Sequence, residues 1–327
     1  MLWGYARNWF ASASISVGTL TAFVLLFQRF FKPLIAPGDE WQSVQGAITG
    51  AERIFEVLAV PIEEKSRAGA SALKGNQGVR MGDVSFGYIF GRPVLAGFAL
   101  EVAAGEHVAL VGRTGAGKTT ALQLAAGLYA PWSGSVRVAG VDPRALATSQ
   151  RSRVLGVVPQ VVQLFSATVM DNLTLGETVA RERVERACAT AGAASFIDAL
   201  PAGYETPLRG LGGGHGVQLS AGQRQLIALA RALLWDPSVI LLDEATAAVD
   251  GASDAAFRSA LRSGALKRGC AVLSIAHRLS TARDADRVAI VEHGRIVEMG
   301  PPAALIHDQG LFAAWVQLET AGWDWDR

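Results

Sequence analysis

Gly112-Arg113-Thr114-Gly115-Ala116-Gly117-Lys118-Thr119 fits G-x-x-x-x-G-K-[ST], a loop whose backbone holds nucleotide phosphates. The glycines let the chain curl until successive N–H groups converge on the β- and γ-phosphates. Lys118 adds a mobile cation, and the Thr119 hydroxyl can ligate Mg²⁺. Ahead of the loop, His107-Val108-Ala109-Leu110-Val111 reads as a buried strand. The residues from Thr120 to Ala126 read as a helix start, whose dipole favours bound anions. Strand, glycine loop and helix are the context this motif needs.

Working outward, 327 residues suffice for one large domain or two smaller ones with a sizeable core. Thirty basic residues nearly balance 29 acidic ones, so bulk attraction to nucleic acid is not expected. Cys188 and Cys270 make neither a disulfide framework nor a zinc cluster, which fits a reducing compartment.

From Asn8 to Gln28 the chain carries no formal charge, a run long enough to cross a bilayer as a helix. Trp3, Tyr5 and Trp9 at one end, with Arg29 and Lys32 at the other, suit the two interfaces. Serines, Gly18 and Thr19 weaken its first half, so a turn is expected near Ser16-Val17-Gly18, with one membrane helix from about Gly18 to Ala36. Residues 1 to 15 would then end a preceding span. A signal peptide and a buried soluble helix compete with this reading; Arg29, rather than a small-residue cleavage site, follows the apolar run. Residues 39 to 60 carry helix-spaced apolar residues up to Pro61, and 61 to 78 read as a linker. From Val79 onward strand-like and helical runs alternate, the α/β pattern.

Two further stretches carry chemistry. Ser238-Val239-Ile240-Leu241-Leu242-Asp243-Glu244 reads as a strand buried on both faces that ends in two carboxylates. Asp243 could hold Mg²⁺ through water, and Glu244 could take a proton from the attacking water. Leu219-Ser220-Ala221-Gly222-Gln223 precedes a strongly helical segment. There Ser220 is a good N-cap, and small residues leave N–H groups open to an anion.

The order of the phosphate loop, Val158-Pro159-Gln160, Leu219-Ser220-Ala221-Gly222-Gln223, Leu241-Leu242-Asp243-Glu244, Ala248-Val249-Asp250 and Ile275-Ala276-His277-Arg278 resembles the ABC transporter nucleotide-binding domain, most closely the exporter type. The resemblance covers about residues 79 to 320, with 321 to 327 as a tail. It reaches into residues 1 to 60, which look like the end of a fifth membrane helix, the sixth and its cytoplasmic extension. It implies an α/β P-loop fold with a mixed central sheet and a helical signature subdomain, preceded by a long helix.

The resemblance also implies roles. Tyr88 would stack on adenine, while Gly112 to Thr120 (Arg113, Thr114, Gly115, Ala116, Gly117, Lys118 and Thr119 between them) would cradle ATP. Ser220, Gly222 and Gln223 would face the nucleotide of a partner domain, and Asp250 would couple the two sites. Gln160 would reach Mg²⁺, with Thr119 and Asp243, and the attacking water. His277 would hydrogen-bond the γ-phosphate and position Glu244. The implied partners are a second such domain, in a homodimer or heterodimer, and further membrane helices or a partner half-transporter. The implied place is the cell membrane, with the ATPase part cytoplasmic.

Ala221 stands where the family usually has a second glycine, and Glu205 to Gly216 is unusually rich in glycine. A soluble ABC ATPase of the repair or translation type and a binding-only regulator are the competing functions. The absence of heptads between Lys118 and Ser220 and the apolar N-terminus weigh against the first. Glu244 and His277 would be superfluous in the second.

Overall fold

The computed structural model describes residues 16–60, 78–210, 215–243, 251–276 and 279–321. The chain divides into two units, Met1–Glu64 and Lys65–Arg327.

In the first unit, Ser16 accepts the N–H of Thr19 at 3.1 Å and caps a helix, α1 (Val17–Leu58). The expected turn near Ser16 is therefore a helix start. α1 runs unbroken through the expected 18–36 segment and into the expected 39–60 segment, the long helix that the resemblance implied. Pro33 and Pro37 each forfeit one i→i−4 hydrogen bond within it. The end is closed by the Ala59 N–H donating to the Phe55 carbonyl, 2.8 Å. No helix among the described residues is long and apolar enough to cross a membrane; the span expected from Gly18 to Ala36 lies partly outside them, since the side chains of residues 32–40 are not described. Phe23, Leu26, Phe30, Trp41 and Phe55 stand exposed along α1.

The second unit opens with strands β1 (Val79–Phe86) and β2 (Leu95–Val102), followed by β3 (His107–Val111), helix α2 (Lys118–Ala125) and β4 (Ser133–Val138). A short helix α3 (Thr148–Val154) leads into β5 (Leu155–Val158). Then come four helices: α4 (Val169–Thr174), α5 (Arg181–Ala191), α6 (Ala194–Asp198) and α7 (Ala221–Leu233). The rest alternates: β6 (Val239–Asp243), α8 (Gly251–Ala260), β7 (Ala271–Ile275), α9 (Leu279–Ala282), β8 (Arg287–Glu292), β9 (Arg295–Gly300), α10 (Pro302–His307) and α11 (Leu311–Thr320).

Two sheets result. One has the order β2-β1-β4 and is antiparallel throughout. The other has the order β5-β6-β7-β3-β8-β9, parallel except for its last pair, β8 with β9. That is the mixed central sheet the resemblance implied. Its middle strands bury both faces, as their unbroken aliphatic runs require. Ile240 and Leu242 enter the core shared with α4 to α8, while Val239 and Leu241 enter the core shared with α2 and the antiparallel sheet. On β3, Val108 and Leu110 join the second core, and Ala109 and Val111 a third beneath α9 to α11. Asp236 ties the helical layer to the sheet side by accepting Arg183 at 3.3 Å and Arg268 at 2.9 Å.

His107 begins β3 inside this packing. Its Nε2 lies 2.8 Å from the Ser274 hydroxyl of β7, and its backbone N–H donates to Asp286 at 2.8 Å. Burial pushes the imidazole down to about 4, the nearby Asp286 and Asp284 carboxylates opposing only part of that shift. An unfolded chain has this histidine near 6.5, so between those values the unfolded state binds the proton and the native state does not. Stability is thus unaffected above about pH 6.5 and falls as pH drops toward 4, by at most about 1.4 kcal/mol per pH unit. Urea midpoints measured from about pH 7 to pH 5 should show this fall, shallower in His107→Gln; equal slopes in the two proteins would exclude His107 as its source.

Candidate nucleotide site

The carboxyl end of β3 runs directly into the glycine loop. Gly112 has φ +159°, and a Cβ there would lie 2.2 Å from the Val291 carbonyl oxygen of β8. No side chain fits, so the loop lies flush against the neighbouring strand. Gly117, φ +105°, is the N-cap of α2, and a Cβ on it would meet Leu95 at 2.7 Å. Lys118 is almost wholly buried, and its ammonium donates to the carbonyls of Gly112 and, at 3.1 Å, Arg113. The lysine thus lies along the inside of the loop that it was expected to serve. The first turn of α2 supplies N–H groups for which a helix has no acceptor of its own.

Above the loop lies a cleft of about 350 Å³ lined by Tyr88, Val94, Thr114, Gly115, Gly117, Lys118, Thr119 and Thr120. Six of these belong to the predicted loop and helix start, and a seventh is the predicted stacking residue. Tyr88 is fixed on one side by its hydroxyl, which donates to Gln123 Oε1 at 2.6 Å and lies 3.1 Å from the Thr120 hydroxyl. On the other side Phe86 and Tyr129 meet it edge-on, with ring centroids 5.4 and 5.5 Å away. Its ring is therefore held, while half of the residue stays exposed to a ligand. Val94 and Gln123 were not read from the sequence; neither residue type nor position marks them without the fold.

Strand register places two more of the predicted residues, Asp243 and Gln160, along one edge of the central sheet. Asp243, half-buried, ends β6 opposite Ile275 of β7, and Ile275 faces Leu110 of β3. Two strand spacings put its backbone roughly 10 Å from the strand that feeds the loop. Gln160 follows β5, the strand next to β6, along the same carboxyl edge. Such an edge is where open α/β sheets bind ligands. Glu244, Asp250 and His277 lie outside the described residues, as do 211–214 of the glycine-rich stretch.

Ser220 caps α7 as its residue type predicted. Its hydroxyl accepts the Gln223 N–H at 3.1 Å, and the Gln223 side chain accepts the Ser220 N–H at 2.9 Å. The carboxamide of Gln223 is thereby used within its own helix end. One turn on, Gln225 is buried and its Nε2 donates to the Gln160 carbonyl at 3.0 Å. This link between the Ser220 helix and the Gln160 segment had no sequence signal; Gln225 looks like any polar residue of an amphipathic helix.

Comparison with known proteins agrees with this geometry. A family model described as ABC transporter matches residues 95–247. An ABC transporter ATP-binding protein of Bacillus subtilis is 36% identical over 91% of this chain and 49% of its own length. An ATP-dependent lipid A-core flippase of Cupriavidus metallidurans is 37% identical over 94% of this chain and 51% of its own. The solved structure of a bacterial Atm1-family ABC exporter with ATP bound is similar at a TM-score of 0.71 and 34% identity, covering 92% of this chain and 52% of that one. The chain spans about half the length of the curated relatives it matches. With the phosphate loop, the mixed sheet and these likenesses in agreement, the chain belongs to the ABC transporters and carries their ATP-binding domain.

Proposed function

We propose that the chain is the ATP-hydrolysing part of an exporter, working as one of two such domains that close on ATP between them. The observation that carries this is the pairing of surfaces within one chain. A phosphate loop with a buried lysine and a held tyrosine makes one anion site. The exposed, Ser220-capped start of a 13-residue helix, α7, makes a second anion-accepting surface that would serve the partner's nucleotide. ATP would screen repulsion between the two faces, and hydrolysis would restore it.

Within one site, Lys118 and the loop backbone bind the phosphates and Tyr88 stacks on the base. Thr119 and Asp243 offer the hard oxygen donors Mg²⁺ takes, Thr119 from within the cleft and Asp243 from a nearby strand end. The ion supplies charge neutralisation at the β- and γ-phosphates when bound. Glu244 takes the proton of the attacking water, His277 holds the γ-phosphate, Gln160 orients the water, and Asp250 couples the two sites. The partner would be a second copy or a related domain. An apolar groove of about 710 Å³ along Pro159, Val161, Phe165 and Leu175, beside Gln160, offers a seat for the cytoplasmic ends of a membrane part. The exposed apolar side chains of α1 would pack against further helices of that part, placing the ATPase at the cytoplasmic face of a cell membrane. The flippase and exporter among its relatives support transport over a role in repair or translation.

Lys118→Ala should lose most ATP binding by fluorescent-nucleotide titration. Glu244→Gln should keep ATP binding while hydrolysis falls by about 10² to 10⁴. In light scattering, Glu244→Gln protein should pair when ATP and Mg²⁺ are added and stay monomeric without them. Parental turnover by Glu244→Gln would remove it as the base, and failure to pair would overturn the two-domain reading.

A further inference from the structure

Glu319 stands in the last turn of α11, where the phosphate cleft has no need of a carboxylate. Its Oε1 accepts the backbone N–H of Leu279, 3.2 Å away. Leu279 opens α9 and comes two residues after His277. On the other side of His277, the Ala276 N–H donates to the Leu110 carbonyl of β3 at 3.0 Å, just ahead of the phosphate loop. The chain is thus tied immediately before and immediately after residues 277–278, once to β3 and once to α11.

The chemistry of the second tie is apt. The first N–H groups of a helix lack intrahelical acceptors, and a carboxylate acceptor strengthens the bond. The platform behind Glu319 is firm. Phe312, Trp315 and Val316 of α11 are buried in one cluster with Ala276, Leu279 and Ala282, and with Ala109 and Val111 of β3. The far end of α9 is held as well. Asp284 accepts Arg258 of α8 at 2.9 Å and Arg262, just beyond it, at 2.8 Å.

We propose that Glu319 is a positioning residue: by holding the Leu279 N–H it anchors the start of α9, two residues past His277, to α11, and the work of His277 depends on that anchor. This rests on the role given to His277 above. The test compares ATP turnover in the full chain and its variants. Glu319→Ala should lower kcat about ten-fold with KM for ATP changed less than about two-fold, a loss in the transition state rather than in binding. Glu319→Gln, whose amide oxygen can accept the same N–H, should recover most of that rate. Amide exchange at Leu279 should quicken in Glu319→Ala. In a His277→Ala protein, adding Glu319→Ala should cost nothing more, because the group being positioned is gone. An unchanged kcat in Glu319→Ala, beside an impaired His277→Ala, overturns the proposal and spares the role of His277. The same further loss in the His277→Ala background also overturns it, marking general loosening. Parental turnover by His277→Ala sinks both.

Discussion

The nucleotide cleft depends on how closely one glycine approaches a neighbouring strand. Gly112 leaves β3 with no room for even a methyl group before the Val291 carbonyl. That approach makes the chain turn at once into the loop, and it seats the loop on the strand β8 rather than above it. Everything else follows from β3 being fixed so deeply. It is paired on both sides and buried on both faces, so the loop's first residue has one place to be. Charge then completes what packing starts: Lys118 lies buried against the loop's own carbonyls, where water cannot stabilise it in their stead.

Around this fixed centre the unit is joined by long-range ties of modest individual strength. Asp236 joins two arginines from different layers, and Glu106 pairs with Arg287 across the end of β3 and β8. Burial pushes the Glu106 carboxyl up, yet the Arg287 hydrogen bond and the Ala103 N–H outweigh it and hold the group below its usual range. These partly exposed pairs add little energy each, but they specify which elements neighbour one another.

The strands and helices nearest the chemistry were legible because their signals are local. β3, the loop and α2 declare themselves within twenty residues, and the aliphatic run of β6 announces burial on two faces. Ser220 is legible for the same reason, since a cap acts over three positions. What could not be read is what distant pairing decides. The antiparallel sheet takes β4 from beyond α2, a pairing with no local mark, whereas β9 turns back on β8 at His293-Gly294, a two-residue turn with both φ positive that the sequence reading passed over. Gln123, Gln225 and Glu319 act across 35, 65 and 40 positions, so each looks like an ordinary polar residue until the chain is folded.

The Gln225 amide has a mechanical consequence. It grips main-chain oxygen of residue 160 from within the helix whose tip is Ser220. Any swing of that helix against the sheet must either drag the strand exit with it or snap the grip. Two surfaces that would each touch a different nucleotide are therefore geared together inside a single chain, with one carboxamide as the tooth.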